Sequence, residues 1–130
     1  MNFQNNWIKS YNSKNIWHID FGKSATDHDF LSFIEFYQNA YNHIQKTSIV
    51  FNALNLEHIS IKQCYKLATM MQNMRPIHQQ KLECFTIVVN SPIILNILKF
   101  VFVIVPPVRP YGIFNNHTDA YNFINDYTIL

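Results

Sequence analysis

Histidine is the residue type in this chain best suited to acid–base or metal chemistry. The histidines are dispersed, and no two of them stand four residues apart, the spacing that places two metal ligands on one face of a helix. Glu57 and His58 are adjacent and could form a base with its partner, but such a pair more often belongs to a solvated loop. We therefore expect neither a metal site nor a catalytic residue among the histidines, which are His18, His28, His43, His58, His78 and His117.

Motifs for nucleotide binding and nucleophilic catalysis are also missing. The chain has two glycines, Gly22 and Gly112, too few for a glycine-rich phosphate loop or a Gly-x-Ser-x-Gly elbow. Gly22-Lys23-Ser24 matches the end of a P-loop, but the upstream glycine is absent and the preceding strand belongs to a hairpin. We expect no cofactor and no enzymatic activity.

Ser60 can be interpreted in two ways. Ser60 and Gln63 have the spacing of a capping box, in which the serine side chain caps the first turn of a helix. A phosphate on Ser60 would sit at the positive end of the helix dipole, so phosphorylation is chemically feasible. The loop before this helix lies at the carboxyl end of a predicted parallel sheet, where ligands and partners commonly bind. We expect it to contact a partner through Asn55, Glu57, His58, Ser60 and Lys62.

The most apolar segment is residues 93–105, in which Asn96 and Lys99 are the polar residues. It falls short of the roughly 20 residues that span a bilayer, and Pro106 and Pro107 end it, so we expect no transmembrane segment. Its apolar residues go all round the predicted helix, whereas an outer helix of a small domain normally has a polar face. Complete burial is one interpretation, and an interface with a protein or with lipid is the other. Contact residues would be Phe100 and Phe102.

Composition narrows the class of protein. Hydrophobic residues make up 48% of the 130 residues and charged residues 14%, which is typical of a single domain with a real core. The formal net charge of +2 is scattered along the chain, so we do not expect nucleic acid as a partner. Cys64 and Cys84 lack metal or CxxC spacing, which predicts free buried thiols in a reducing compartment. Residues 1–6 lack the features of a signal peptide, so we expect a cytoplasmic location.

The periodicity of apolar residues predicts the elements that position these groups. Strands over 3–11 and 15–21 form a hairpin. An amphipathic helix capped by Thr26 presents Phe30, Ile34, Tyr37, Tyr41 and Ile44 on one face. The order is β-β-α-β-α-β-α-β-α, which implies one α/β domain over 1–130 with a central, mostly parallel sheet and an antiparallel N-terminal hairpin at its edge. The later predicted elements are a strand at 47–51, a helix from Ser60 to Pro76 or just before it, a strand at 84–89, a helix capped by Ser91 and beginning at Pro92, a strand at 111–114 and a helix capped by Thr118.

Several of these blocks resemble a known family. The strand at 49–51, the capped helix at Ser60, the block 85–92 and the closing strand and helix at 113–114 and 119–123 are similar to the STAS domain, in particular its SpoIIAA-like branch. The sequence Val89-Asn90-Ser91-Pro92 is also similar to the related SEC14-like (CRAL-TRIO) fold, where a Val-Asn-x-Pro turn starts a helix after a core strand.

The STAS resemblance implies a non-enzymatic, regulatory module that interacts with a protein partner or with itself. In anti-sigma-factor antagonists of that family, a serine at the start of the second major helix is phosphorylated, and Ser60 is the nearest position. Its neighbours, His58-Ile59-Ser60-Ile61, depart from the family's Asp-Ser-Ser/Thr-Gly pattern. The alternative, a minimal SEC14-like carrier or sensor of a lipid or other apolar ligand, predicts a pocket of roughly several hundred Å³ between the last helix and the sheet.

Overall fold

A six-stranded sheet organises the computed structural model, which describes residues 1–129. The strands follow one another across the sheet in chain order, β1 to β6. The first three are antiparallel, and β3 to β6 are parallel, as predicted. The strands are β1 (Phe3–Gln4), β2 (Ile8–Ser13), β3 (Ile16–Phe21), β4 (Thr47–Asn52), β5 (Leu82–Val88) and β6 (Tyr111–Phe114).

Helices cover both faces of this sheet. Because β3 to β6 advance in one direction and parallel crossovers are right-handed, the helices between them fall on the same face. The last helix follows β6 and packs on the opposite face, against β4, β5 and β6. The helices are α1 (Asp27–Ala40), α2 (Ile61–Asn73), α3 (Arg75–Lys81), α4 (Pro92–Ile104) and α5 (His117–Ile129), and a 3₁₀ turn at Tyr41–His43 extends α1.

Local side-chain hydrogen bonds fix the helix starts. The Ser60 hydroxyl accepts the Gln63 N–H at 3.1 Å and the Gln63 side chain accepts the Ser60 N–H at 3.1 Å, which confirms the predicted capping box. Thr26 and Ser91 also cap their helices as predicted, accepting N–H groups three residues on. Thr118 was predicted to cap α5, and that prediction is wrong. Asn116 caps it instead, because its side-chain oxygen accepts the Asp119 N–H at 2.9 Å.

Two other elements differ from the sequence prediction. The strand expected over 3–11 is divided at Asn5, whose side-chain oxygen accepts the N–H groups of Trp7 and Ile8 and turns the chain between β1 and β2. The helix predicted to end at Pro76 or just before it ends at Asn73, but α3, which was not predicted, follows it. Pro76 lies in the first turn of α3, where its missing N–H costs nothing.

The sheet separates two apolar clusters. On the face of α1 to α4, aromatic rings dominate, and the Trp17 ring stacks on Tyr37 at 5.4 Å. On the face of α5, Val50, Val88 and Ile124 form a smaller cluster with Cys84. The two thiols lie on opposite faces of the sheet, because Cys64 is on α2. Both are free; Cys84 is buried as predicted, whereas Cys64 is only half-buried.

Candidate functional site

A cavity of about 140 Å³ lies between the sheet and the helices α2 and α4. The sheet contributes Phe51, Phe85 and Ile87, while Leu67 of α2 and Leu98 of α4 line it from the helices. Such a lining excludes water, because it offers almost no hydrogen-bonding groups. The cavity is smaller than the SEC14-like interpretation predicted, and it lies on the other face of the sheet. Under α5, Val50, Val88 and Ile124 pack together in the smaller apolar cluster.

A chain of buried hydroxyl and imidazole groups adjoins this cavity. The Tyr37 hydroxyl is 2.8 Å from the Tyr41 hydroxyl and 2.9 Å from His78 Nε2, and Tyr37 and His78 both line the cavity. Burial lowers the pKa of His78 to about 4. Burial also raises the pKa of Tyr37 well above its ordinary value and that of Tyr41 in the same direction. At neutral pH all three groups are therefore uncharged.

Arg109 brings a positive charge to the lining of the cavity. Its guanidinium donates hydrogen bonds to neighbouring groups of the chain itself. Its Nε donates to the carbonyl oxygens of Leu82 at 2.8 Å and Glu83 at 3.3 Å. One of its terminal nitrogens donates to the Tyr127 hydroxyl of α5 at 3.2 Å. Arg109 thus joins the start of β5 to α5 and stabilises the segment between α4 and β6.

Helix α4 is half buried and half exposed, and its exposed side carries both polar residues of the helix, Asn96 and Lys99, beside apolar ones. Ile94 and Val101 are buried, whereas the opposite side carries a group of exposed apolar residues that we call the α4 outer face. Phe102 faces inward and packs against Tyr111 with a ring separation of 5.1 Å. Phe102 and Phe100 point in different directions, because residues two apart on a helix are about 200° apart. The α4 outer face consists of Ile93 (69% exposed), Phe100 (64%), Val103 (79%) and Ile104 (53%).

The loop predicted to contact a partner lies at the carboxyl end of β4. Asn55, Glu57 and His58 are exposed. The N–H groups of Glu57 and His58 donate to the Lys23 carbonyl at 2.9 and 3.1 Å, which ties this loop to the one after β3. Ser60 is half-buried as the cap of α2.

Lys62 and the aromatic residues of α4 lie apart from one another. Lys62 is exposed and pairs with Asp27 at 3.7 Å, a surface ion pair that contributes little to stability. Phe100 lies two turns along α4 from Pro92, about 12 Å from the end of the helix that faces this edge of the sheet. The structure therefore brings Asn55, Glu57, His58, Ser60 and Lys62 together, places Phe100 on a separate surface and turns Phe102 toward the cavity.

A second polar cluster lies on the α5 face of the sheet. The rings of Tyr11 and His18 stack at 4.9 Å, and the Tyr121 hydroxyl is 3.3 Å from His18 Nδ1. Burial lowers the pKa of His18. These contacts attach α5 to β3, and the sheet separates them from the cavity. Within residues 1–129 no group of three or more His, Cys, Asp or Glu side chains is arranged to hold a metal ion.

The cavity residues Trp7, Tyr37 and His78 were not predicted as site residues. The stripe of apolar residues on α1 did place Tyr37 in the core. His78 had no such signal, because α3 was not predicted.

No helix in the described part of the chain combines the length and the apolar character needed to cross a membrane.

Comparisons with known proteins identify the fold. No family model matches this chain, and no curated protein is significantly similar to it. Among solved structures, it is similar to an uncharacterised protein of the DUF3478 family from Shewanella loihica PV-4, described as having a SpoIIAA-like fold. The TM-score is 0.61 at 12% identity, over 89% of this chain and 90% of that one. The comparison confirms the predicted fold: this chain has a SpoIIAA-like α/β fold.

Proposed function

We propose that this chain is a non-enzymatic binding module whose cavity takes up a small apolar ligand. The cavity between the sheet and helices α2 and α4 carries this proposal. Its volume of about 140 Å³ is close to that of an engineered apolar cavity of about 150 Å³ that binds benzene. A ligand the size of one ring or a short hydrocarbon chain fits such a space.

The titratable groups beside the cavity support binding without catalysis. An efficient acid or base has a pKa near the working pH. Burial moves the pKa of His78 down to about 4 and that of Tyr37 upward, away from neutral pH in both cases. The two side chains bond to each other, and Tyr41 completes their network. They hold α1 and α3 together and give the cavity an uncharged wall.

Native mass spectrometry on the purified chain tests this proposal, because it reports bound mass and oligomeric state together. We expect the wild type to retain a small apolar molecule, supplied as toluene if none copurifies. Leu98→Trp fills the cavity and should abolish retention, since Leu98 lines it. Val103→Trp introduces the same ring on the exposed side of the same helix and should retain the ligand. Absence of any bound ligand on the wild type, or equal loss in both variants, would contradict the proposal.

A second candidate function is the regulatory, protein-interacting role implied by STAS-type proteins. The α4 outer face favours it, because large apolar side chains are exposed there beside the polar residues Asn96 and Lys99, and exposed apolar groups with polar neighbours commonly mark interaction sites. The partner would be a second copy or another protein, in a cytoplasmic setting, with the loop at 55–62 as an additional contact. Ser60 phosphorylation would regulate that contact by changing the charge at the start of α2.

Sedimentation velocity separates this candidate from the first. If α4 mediates self-association, the wild type should sediment as a dimer, and Phe100→Ser should convert it to a monomer. Leu31→Ser is the matched control, because Leu31 is an exposed apolar residue on α1. A wild type that stays monomeric at high concentration would rule out self-association through α4.

A further inference from the structure

We propose that the ligand of the cavity carries a hydrogen-bond acceptor, such as a carbonyl oxygen, that pairs with the indole N–H of Trp7. This inference rests on the proposed function and names the chemical class of its ligand: a small, mostly apolar molecule with one acceptor group. Two observations carry it. Trp7 lines the cavity, and its Nε1 is a buried donor with no acceptor within residues 1–129.

The surroundings of Trp7 explain why its N–H lacks a partner. The residue is 5% exposed. Its ring packs against Phe21 at 5.1 Å, Phe30 at 5.6 Å and Phe33 at 5.7 Å, none of which offers an acceptor atom. A buried donor without an acceptor forfeits the hydrogen bonds that it makes to water in the unfolded chain. Phenylalanine would fill this aromatic cluster without that cost.

The other tryptophan shows that the fold can satisfy a buried indole. Trp17 is fully buried on the same face of the sheet, and its Nε1 donates to the Ser10 hydroxyl at 2.7 Å. Ser10 in turn donates to the Met1 carbonyl, so this donor chain is complete. Trp17 does not line the cavity. The unsatisfied indole is therefore the one beside the cavity, among the described residues.

Water is a poor substitute for a ligand at this position. A buried water is held by two to four polar partners, and the phenylalanine rings around Trp7 supply none. The Tyr37 hydroxyl, another donor in the lining, already bonds with Tyr41 and His78. An acceptor on the ligand would thus recover the hydrogen bond of Trp7, while the rest of the ligand contacts hydrocarbon.

An isosteric ligand pair tests the inference. Acetophenone and α-methylstyrene have nearly the same shape, but only the ketone has an acceptor. We would titrate both into ¹⁵N-labelled wild type, Trp7→Phe and Trp17→Phe, and follow indole and backbone resonances. The ratio of ketone affinity to alkene affinity should fall by about fivefold or more in Trp7→Phe. In Trp17→Phe it should stay as in the wild type.

The wild type alone gives a second readout that does not depend on how well a variant folds. Hydrogen bonding moves an indole N–H proton downfield, so acetophenone should shift the Trp7 indole resonance downfield and α-methylstyrene should not. An unchanged affinity ratio in Trp7→Phe, or equal indole shifts with both ligands, would overturn the inference and leave the cavity as an apolar site. Failure of both ligands to bind the wild type would overturn the proposed function and the inference with it.

Discussion

Acid should destabilise this protein through His78. Its pKa is about 4 in the folded state, because burial beside Tyr37 and Tyr41 disfavours the imidazolium, against an ordinary value of 6.5. The unfolded chain therefore binds more protons than the folded one between these values. The contribution of neutral, buried His78 to the free energy of unfolding is fully present above pH 6.5 and is lost as the pH falls toward 4. At about 1.4 kcal/mol per pKa unit, the full loss is about 3 kcal/mol.

His78→Gln isolates this contribution, because glutamine can still hydrogen-bond to Tyr37 but does not titrate. Urea unfolding at pH 7 and pH 4, followed by tryptophan fluorescence, gives the free energy of unfolding at each pH. From pH 7 to pH 4, the free energy of unfolding of the wild type should fall by about 3 kcal/mol more than that of His78→Gln. As a control, His58→Gln alters an exposed loop histidine, and its free energy of unfolding should fall by as much as that of the wild type. If the wild type and His78→Gln lose equal stability, the burial argument for His78 is wrong.

Three further experiments test separate parts of the structure. Ser60→Ala removes the capping bond to α2 and should lower the melting temperature by about 3 °C, corresponding to about 1 kcal/mol. In the same calorimetric scan, the control Ser24→Ala, at an exposed serine, should leave the melting temperature unchanged. Thr86→Val should raise the free energy of unfolding by about 1 kcal/mol, because the buried Thr86 hydroxyl has no hydrogen-bond partner among the described residues. A lower free energy of unfolding in a urea titration would show that this hydroxyl does have a partner. Phe100→Ser combined with Val103→Ser should reduce the binding of a fluorescent hydrophobic dye severalfold without lowering the free energy of unfolding, since both side chains are exposed. Unchanged dye binding would show that the α4 outer face is covered.

Local sequence signals predicted the framework well. The Ser60–Gln63 capping box and the Ser91–Pro92 start of α4 depend on residues three or fewer apart, and both are confirmed. The parallel sheet followed from strands that alternate with helices, since right-handed crossovers leave few topologies. The Thr118 prediction failed because Asn116, one residue before α5, competes for the same role and has the better geometry.

The site was much less predictable, because tertiary packing creates it. Trp7, Leu67 and Leu98 come from a turn, α2 and α4, and no sequence pattern joins them. Pro76 was interpreted as a helix stop, although proline is also favoured in the first turn of a helix, and this hid the element that carries His78. The apolar residues of α4 did not show which side is exposed, because they occur on both sides of the helix; its two polar residues, Asn96 and Lys99, are both exposed and were the available signal.

Methyl chemical shifts on addition of toluene would show directly whether the cavity takes up an apolar ligand. Leu67 and Leu98 line the cavity, Val88 and Ile124 lie on the other face of the sheet, and Val103 faces outward from α4. We expect saturable shifts at Leu67 and Leu98, with Val88 and Ile124 unaffected. Shifts confined to Val103 would show adsorption to the surface. That result, or no shifts at all, would contradict the proposed function.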